Sequence, residues 1–477
     1  MNTNAETLTF NYRPGQTVSR PHVEEQTFAT TEAAAEPRDW GYLGLLAFTT
    51  VLLLRPQDRF PSLTSLHIAE ICAFIGIGPM LLHRFARRLP VFRVTPETMG
   101  LVAFGIVIIA TAPFSIWPGG ALQVFTDLYL KIMIVFVLMM NTLTTTERLE
   151  RLMWLILLCI GTIAALSVSN YAAGKNLVEG GRLAGPIGGI FGNPNDLAMN
   201  MVTFLPAAIV VAMSRRNSAM KRATAATIAM LMLATIVFTK SRGGLLGAVA
   251  AVLFLAMLGR SLRRGFGTVL IIGCALAVPF FPASFWDRMT TIVDADQDKL
   301  QYTGSREARQ LVMGDGVDAF LEYPVTGVGA GQFKNYNPPE RKARFLETHN
   351  VLLQVAAETG FLGLLAFMFL IARAAMAAWT TQRTVRSKSW LSFMRKAQKE
   401  QVAQALSEHT LGLVAGLAGW FVCAMFASVA YNWTFYYVLA LLVAGRELAF
   451  DQLRVAIPAK LKKISVRTPA FSTQTAS

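Results

Sequence analysis

Apolar residues in this chain come in long blocks separated by short polar links, and they seldom alternate with polar ones. A block of about 18 or more apolar residues is long enough to cross a bilayer, whereas strict alternation would mark half-buried strands. The pattern predicts transmembrane helices near 39–54, 66–83, 98–115, 121–140, 152–170, 196–213, 223–239, 243–259, 266–282, 350–376, 408–430 and 432–449, the last two joined by a tight turn at Tyr431 and Asn432. The fold class read from this is all-α: a polytopic integral membrane protein of about 12 spans with one large loop outside the membrane. Its parts are a polar, disordered tail at 1–38, spans one to nine at 39–282, the loop at 283–349, spans ten to twelve at 350–449, and a basic tail at 450–477.

Composition agrees, with 53% of the residues hydrophobic and 15% charged, against roughly 25% charged in soluble domains. The net charge of +15 would suit a nucleic-acid binder, but its distribution argues otherwise. Basic residues gather in alternate links: Arg84, Arg87, Arg88 and Arg93; Arg215, Arg216, Lys221 and Arg222; Arg260, Arg263 and Arg264; the stretch from Arg383 to Lys399; and Lys460, Lys462 and Lys463. That is the positive-inside bias of a bacterial inner-membrane protein, with both termini cytoplasmic and the 283–349 loop periplasmic; it needs no nucleic acid. Cys72, Cys159, Cys274 and Cys423 each lie inside an apolar block, which reads as packing rather than a disulfide or metal site.

Three outer segments stand out: a Gly-, Pro- and Asn-rich link at 171–195, the three residues Lys240, Ser241 and Arg242, and the large loop. The loop predicts a helix near 305–322 whose apolar face is Ala308, Leu311, Val312, Ala319 and Phe320, then a glycine-rich turn at 327–331. Ionisable residues within spans include Glu70, Asp127, Lys131 and Glu358, all in outer halves and none near an inner end, a pattern that suits a polar cavity opening outward. Asp127 and Lys131, four apart on one helix, are also placed to neutralise each other.

Arg182, Arg242, Arg306 and His349 stand beside span ends on the outer side. A guanidinium fork binds phosphate bidentately and keeps its charge when partly desolvated, so converging arginines suit a lipid pyrophosphate, although single loop arginines also meet ordinary lipid headgroups. The imidazole of His349 is suited to take a proton from a sugar hydroxyl at neutral pH, or the residue serves as a helix cap. Two other patterns fail. Asp294, Asp296 and Asp298 resemble a calcium loop, but Lys299 stands where glycine is needed and Ser305 where the closing glutamate belongs. Gly327 to Gly331 follows a helix rather than a strand, so it reads as a turn and not a dinucleotide loop.

The segments GRLAGPIGGIFGNPNDLA (181–198), KSRGGLLG (240–247), GSREARQ (304–310) with FLEYPVTGVGAGQF (320–333), and ETHNVLLQVAAETGFLGLL (347–365) occur in this order. In them the chain resembles the O-antigen ligase and Wzy-type polymerase superfamily, best over about 180–370. The resemblance implies a metal-independent, inverting glycosyl transfer without cofactor on the periplasmic face. A glycan would pass from undecaprenyl pyrophosphate to lipid A-core, to another lipid-linked repeat or to protein. Carried over residue by residue, Arg182 and Arg242 would hold the pyrophosphate and His349 would orient or deprotonate the acceptor hydroxyl. Arg306 would support phosphate or acceptor, and Asn195, Lys240 and Glu358 would complete the substrate site. Ligase, surface- or exopolysaccharide polymerase and protein glycosyltransferase stay open. A multi-span transporter or a lipid-linked glycan flippase is the rival reading, although no internal repeat is evident and the polar residues favour one side.

Overall fold

The computed structural model describes residues 39–88, 90, 93–259, 281, 283–290, 305–336, 347–396 and 400–465, and all of these but Asp39 fall in one unit, Trp40–Ser477. Eleven described helices answer to predicted spans: α1 (Trp40–Leu54), α3 (Ile68–Ala86), α4 (Pro96–Thr111), α5 (Pro118–Thr142), α6 (Thr146–Ala172), α7 (Pro194–Met213), α8 (Ala219–Thr239), α9 (Arg242–Leu258), α12 (Val351–Val385), α14 (Glu400–Ala424) and α15 (Trp433–Ser465). Nine of these are long and apolar enough to cross a membrane, and α1 and α9 are shorter apolar helices. The short helices α2 (Pro56–Arg59), α10 (Ala283–Thr290), α11 (Ser305–Glu322) and α13 (Lys388–Lys396) lie in links, as does a hairpin of β1 (Leu177–Val178) and β2 (Arg182–Leu183). The tail 1–38, the stretch 294–304 and, but for Phe281, the ninth predicted span lie outside the described residues.

Helix starts follow from local chemistry. Thr95, Thr145, Asn193, Ser218, Ser241 and Asn350 each accept a backbone N–H of the first turn, and Pro96 and Pro194 occupy positions where a missing N–H costs nothing. α7, α14 and α15 form the centre, and α3 is peripheral, with only 11% of its apolar window buried. Close approach at the centre rests on small residues: Gly412 meets Ala207, Gly416 lies against the Thr203 carbonyl, and Gly419 faces Gly247. Small residues let backbones touch where lipid gives no hydrophobic drive to association.

Links 55–67, 112–117, 173–193, 240–241, 323–336 with 347–350, and 425–432 gather on one face, here the loop face. Gly188 N–H donates to Asp58 at 2.8 Å, Ile116 N–H to the Val328 carbonyl at 3.0 Å, and His349 N–H to the Ser428 hydroxyl at 3.0 Å. The opposite, basic face holds charges that the hydropathy pattern passed over. Glu97, fully buried, accepts two hydrogen bonds from Arg446 at 2.7 and 2.9 Å and one from Arg373 at 2.7 Å. Arg216 joins Glu150 at 2.6 Å and Glu408 at 3.4 Å. The four ionisable residues singled out within spans do not include these groups near the inner helix ends. These groups are tolerated because each is paired.

Other expectations change too. Lys131 pairs not with Asp127 but with Glu70, at 2.7 Å, because the α5 helix opens into a π turn at Phe125–Tyr129 and breaks the i,i+4 register. The turn between the last two spans is the whole stretch 425–432, where Asn432 caps α15 through Thr434 N–H. α15 continues to Ser465, into the predicted tail, with Asp451 paired to Arg93 at 2.9 Å. On α11 the buried side carries Val312, Gly316 and Ala319, whereas Leu311 is 71% exposed.

The predicted glycine turn is present and has a definite task. α12 breaks at Gly360 (φ 66°), and the segment before it fills the break: Val328 N–H donates to the Ala357 carbonyl at 2.8 Å, Gly329 N–H to the Glu358 carbonyl at 2.9 Å, and Phe361 N–H to the Pro324 carbonyl at 2.8 Å. Gly327 (φ 65°) lies so close to the Glu358 carbonyl group that a Cβ would collide with it.

Candidate active site

The Gly-Asn-Pro-Asn-Asp sequence at 192–196 builds one wall of the site. Asn193 folds its side chain over the start of α7, accepting Asn195 and Asp196 N–H groups at 2.9 Å each. That fixes Asn195 on the outermost turn, where its Oδ1 accepts two more hydrogen bonds, from Arg182 Nη2 at 2.7 Å and from Ser241 Oγ at 2.9 Å. Arg182 also donates through Nε to the Thr239 carbonyl at 3.2 Å, one of the acceptors left open at the end of α8. Lys240, left-handed at φ 47°, ends that helix, and its Nζ donates to the Gly180 carbonyl at 3.0 Å. Ser241 then caps α9 by accepting Gly244 N–H at 3.2 Å.

These contacts bring Arg182, Asn195, Ser241 and Arg242 into the wall of a single small cavity, closed on its far side by Cys423, Phe426 and Ala427. It measures about 20 Å³, room for about one water, so a larger group would engage its mouth. The first turn of α9 supplies the positive end of a helix dipole beside the two guanidinium groups, an arrangement suited to anions.

His349 is seated on the 425–428 stretch through Ser428. Its backbone is left-handed (φ 50°) and held by Ser428, whose hydroxyl also shares a hydrogen bond with Thr348 Oγ1 at 3.0 Å. The cap of α12 is Asn350, which accepts Leu352 and Leu353 N–H groups at 3.0 Å, so the reading of His349 as the cap is corrected. Asn350 also reaches the Met425 carbonyl at 3.4 Å. Ala427 faces the arginine cavity while its neighbour Ser428 seats His349.

Of the other residues singled out, Lys240 is 6% exposed and ties down the 180–182 turn. Arg306 lies in the first turn of α11, and its side chain is outside the described residues. Glu358 is 3% exposed and accepts Gly331 N–H at 2.8 Å, which gives it the work of holding the glycine segment. At the edge of the site Asp58 accepts two hydrogen bonds from Arg55 and one from Gly188 N–H. Partial burial alone would raise its carboxyl, but these donors outweigh it and hold the group below its ordinary value. Ser428 escapes the sequence reading, and Ser241 enters it only as part of the 240–242 link, with no role. Ser241, just before an apolar block, carried a cap signal, whereas nothing local distinguishes Ser428.

Residues 227–368 match the family model of the O-antigen ligases, a stretch that holds Lys240, Arg242, Arg306, His349 and Glu358. The resemblance read from the sequence is thereby borne out. The match supports glycan transfer of the ligase or polymerase type, with a lipid-linked glycan and an acceptor as partners, by a multi-pass membrane protein. No curated protein matches the chain.

Proposed function

We propose that the chain transfers a glycan from undecaprenyl pyrophosphate to an acceptor hydroxyl at the loop face, and that this face is periplasmic. The observation that carries the reading is the shared cavity of Arg182, Asn195 and Arg242 at the start of α9, one residue away from the seat of His349. The orientation is supported by the gathering of basic links on the opposite face.

In this reading the pyrophosphate lies at the cavity mouth between the two guanidinium groups. The acceptor oxygen attacks the anomeric carbon from the face opposite the pyrophosphate, the carbon–oxygen bond to the leaving group breaks, and its electron pair goes onto the pyrophosphate. The acceptor proton passes to His349, and the anomeric centre inverts. Charge that grows on the leaving oxygen is what preorganised donors stabilise best, so Arg182 and Arg242 do most where charge develops. Asn195 is a positioning residue, since it fixes Arg182 and Ser241 with one oxygen.

The test is transfer by the purified full chain in proteoliposomes holding a lipid-pyrophosphate-linked glycan and a candidate acceptor, read as new glycosidic product by mass spectrometry. Product should form with the native chain and disappear with Arg242→Ala and with His349→Ala. Movement of the lipid-linked glycan across the bilayer without new bonds would favour the flippase reading instead.

A further inference from the structure

At the other end of α9 from Arg242, toward the basic face, lies a much larger hollow. It measures about 660 Å³ and is set between α9 and α12, with α14 as its floor. Its apolar length includes Phe254, Trp379 and Leu411, and its basic end is lined by Gln382, Arg383 and Arg386. That volume falls within the roughly 300–1,000 Å³ of ligand sites.

Three observations bear on what it holds. First, its chemistry changes in one direction. Ala375, Trp379, Gln382 and Arg386 all line it and recur at helical spacing, so they form one stripe on α12. At 1.5 Å per residue the stripe runs about 16 Å, close to half of roughly 30 Å of hydrocarbon, which is the depth of one leaflet. The apolar length therefore lies at the level of acyl chains and the basic end at the level of headgroups. Second, the charge has one sign. Among the described residues the lining carries two arginines and no carboxylate, and the sequence holds no Asp or Glu between Glu358 and Glu400. Third, the hollow is a furrow rather than a buried void. Among the described residues α9 and α12 both pack on α14 but make little contact with each other, and Met376 and Trp379 on its rim are 51% and 71% exposed. Gln382 keeps the basic end in shape, donating to the Ser407 carbonyl at 2.8 Å and accepting the Ser407 hydroxyl at 3.3 Å.

Arginines near the basic-face end of a helix are expected from the charge bias and from the negative end of the helix dipole. What sets Arg383 and Arg386 apart is the furrow that leads from them to acyl depth. Guanidinium forks take a phosphodiester bidentately, and a zwitterionic headgroup would bring its own ammonium against them where an anionic one would not. We propose that the hollow binds one anionic glycerophospholipid from the leaflet at the basic face, with its phosphodiester at Arg383 and Arg386 and an acyl chain along Trp379, Leu411 and Phe254. The lipid would bridge α9 and α12, the helices that begin at Arg242 and beside His349, and stabilise the native fold by mass action. This site is independent of the glycan-transfer reading.

The test is native mass spectrometry of the full chain in detergent, with equimolar phosphatidylglycerol and phosphatidylcholine carrying the same acyl chains. The chain should retain one phosphatidylglycerol in preference to phosphatidylcholine by at least about fivefold. Arg383→Gln together with Arg386→Gln should abolish that preference. Ala375→Trp, which fills the furrow from an exposed position, should cut phosphatidylglycerol retention by a similar factor. Arg215→Gln, an exposed arginine of the basic face outside the hollow, should leave the preference unchanged. Added phosphatidylglycerol should raise the Tm of the native chain and leave that of the double arginine variant where it was. If Ala375→Trp fails to fold, the arginine pair, exposed in the structure, still decides. Equal retention of both lipids, or a preference that survives the arginine changes, overturns the proposal and leaves only ordinary bilayer contact. Retention of neither lipid also overturns it, and leaves the hollow to the ninth predicted span or to a second copy of the chain.

Discussion

Arg182 Nη2 donates to Asn195 Oδ1 at 2.7 Å, and the same oxygen accepts the Ser241 hydroxyl at 2.9 Å. One carboxamide thus joins the hairpin, the start of α7 and the start of α9. Asn195→Ala should release Arg182 and lower the transfer rate by about 10- to 100-fold, the scale on which small misplacements act. KM for donor should rise less, and unfolding should change little. Steady-state kinetics in proteoliposomes check this, and an unchanged rate would show that Arg182 needs no such anchor.

Ser428 carries the other half of the geometry, accepting His349 N–H. Ser428→Ala leaves that N–H and the Thr348 hydroxyl without this partner. It should cost about 1 kcal/mol of stability and a larger fraction of activity. Ser428→Thr, which keeps the hydroxyl, should recover most of the activity. Parallel thermal unfolding and transfer assays separate the two effects.

On the basic face, Glu97 is the fully buried partner of both Arg446 and Arg373. Glu97→Ala removes the buried partner of Arg446, itself 5% exposed, and leaves it paired to Glu447 at 2.9 Å, so it should destabilise the fold by up to about 3 kcal/mol. The drop is measured by thermal unfolding in detergent. The loop face is far from this cluster, so any protein that folds should keep its transfer rate.

Asp58 gives a pH dependence of known sign. Its carboxyl is held low in the folded chain by Arg55 and Gly188, below about 3.9 for an unfolded aspartate. Its contribution to stability is therefore present above about pH 4 and is lost as pH falls through the folded value. Asp58→Asn should remove this part of the acid limb in thermal unfolding scanned from pH 7 to 3, and an identical acid limb would contradict it.

What was readable from residue order, and what was not, follows from the range of the forces. Spans are local, so apolar blocks locate the eleven described helices within a few residues at most ends. α14 and α15 run further because their polar turns are held by distant groups, as Asp451 is by Arg93. Arg182, Asn195, Lys240 and Arg242 come together because their segments lie at successive span ends on one side, which alternation already implied. Glu97 and Arg446, 349 residues apart, were invisible, since pairing at that separation leaves no local pattern. The same holds for Ser428 under His349 and for Lys131 reaching Glu70 across a π turn that no hydropathy window reveals.

The central claim is that Arg182 and Arg242 act on one leaving group in one cavity. A double-mutant cycle on the transfer rate measures this directly, with Arg182→Ala, Arg242→Ala and the pair, each checked for folding. Residues that act as a unit are non-additive, so each single change should cost at least about 100-fold and the pair little more than the worse of the two. Losses that simply multiply, or native turnover in either single variant, would contradict a shared site.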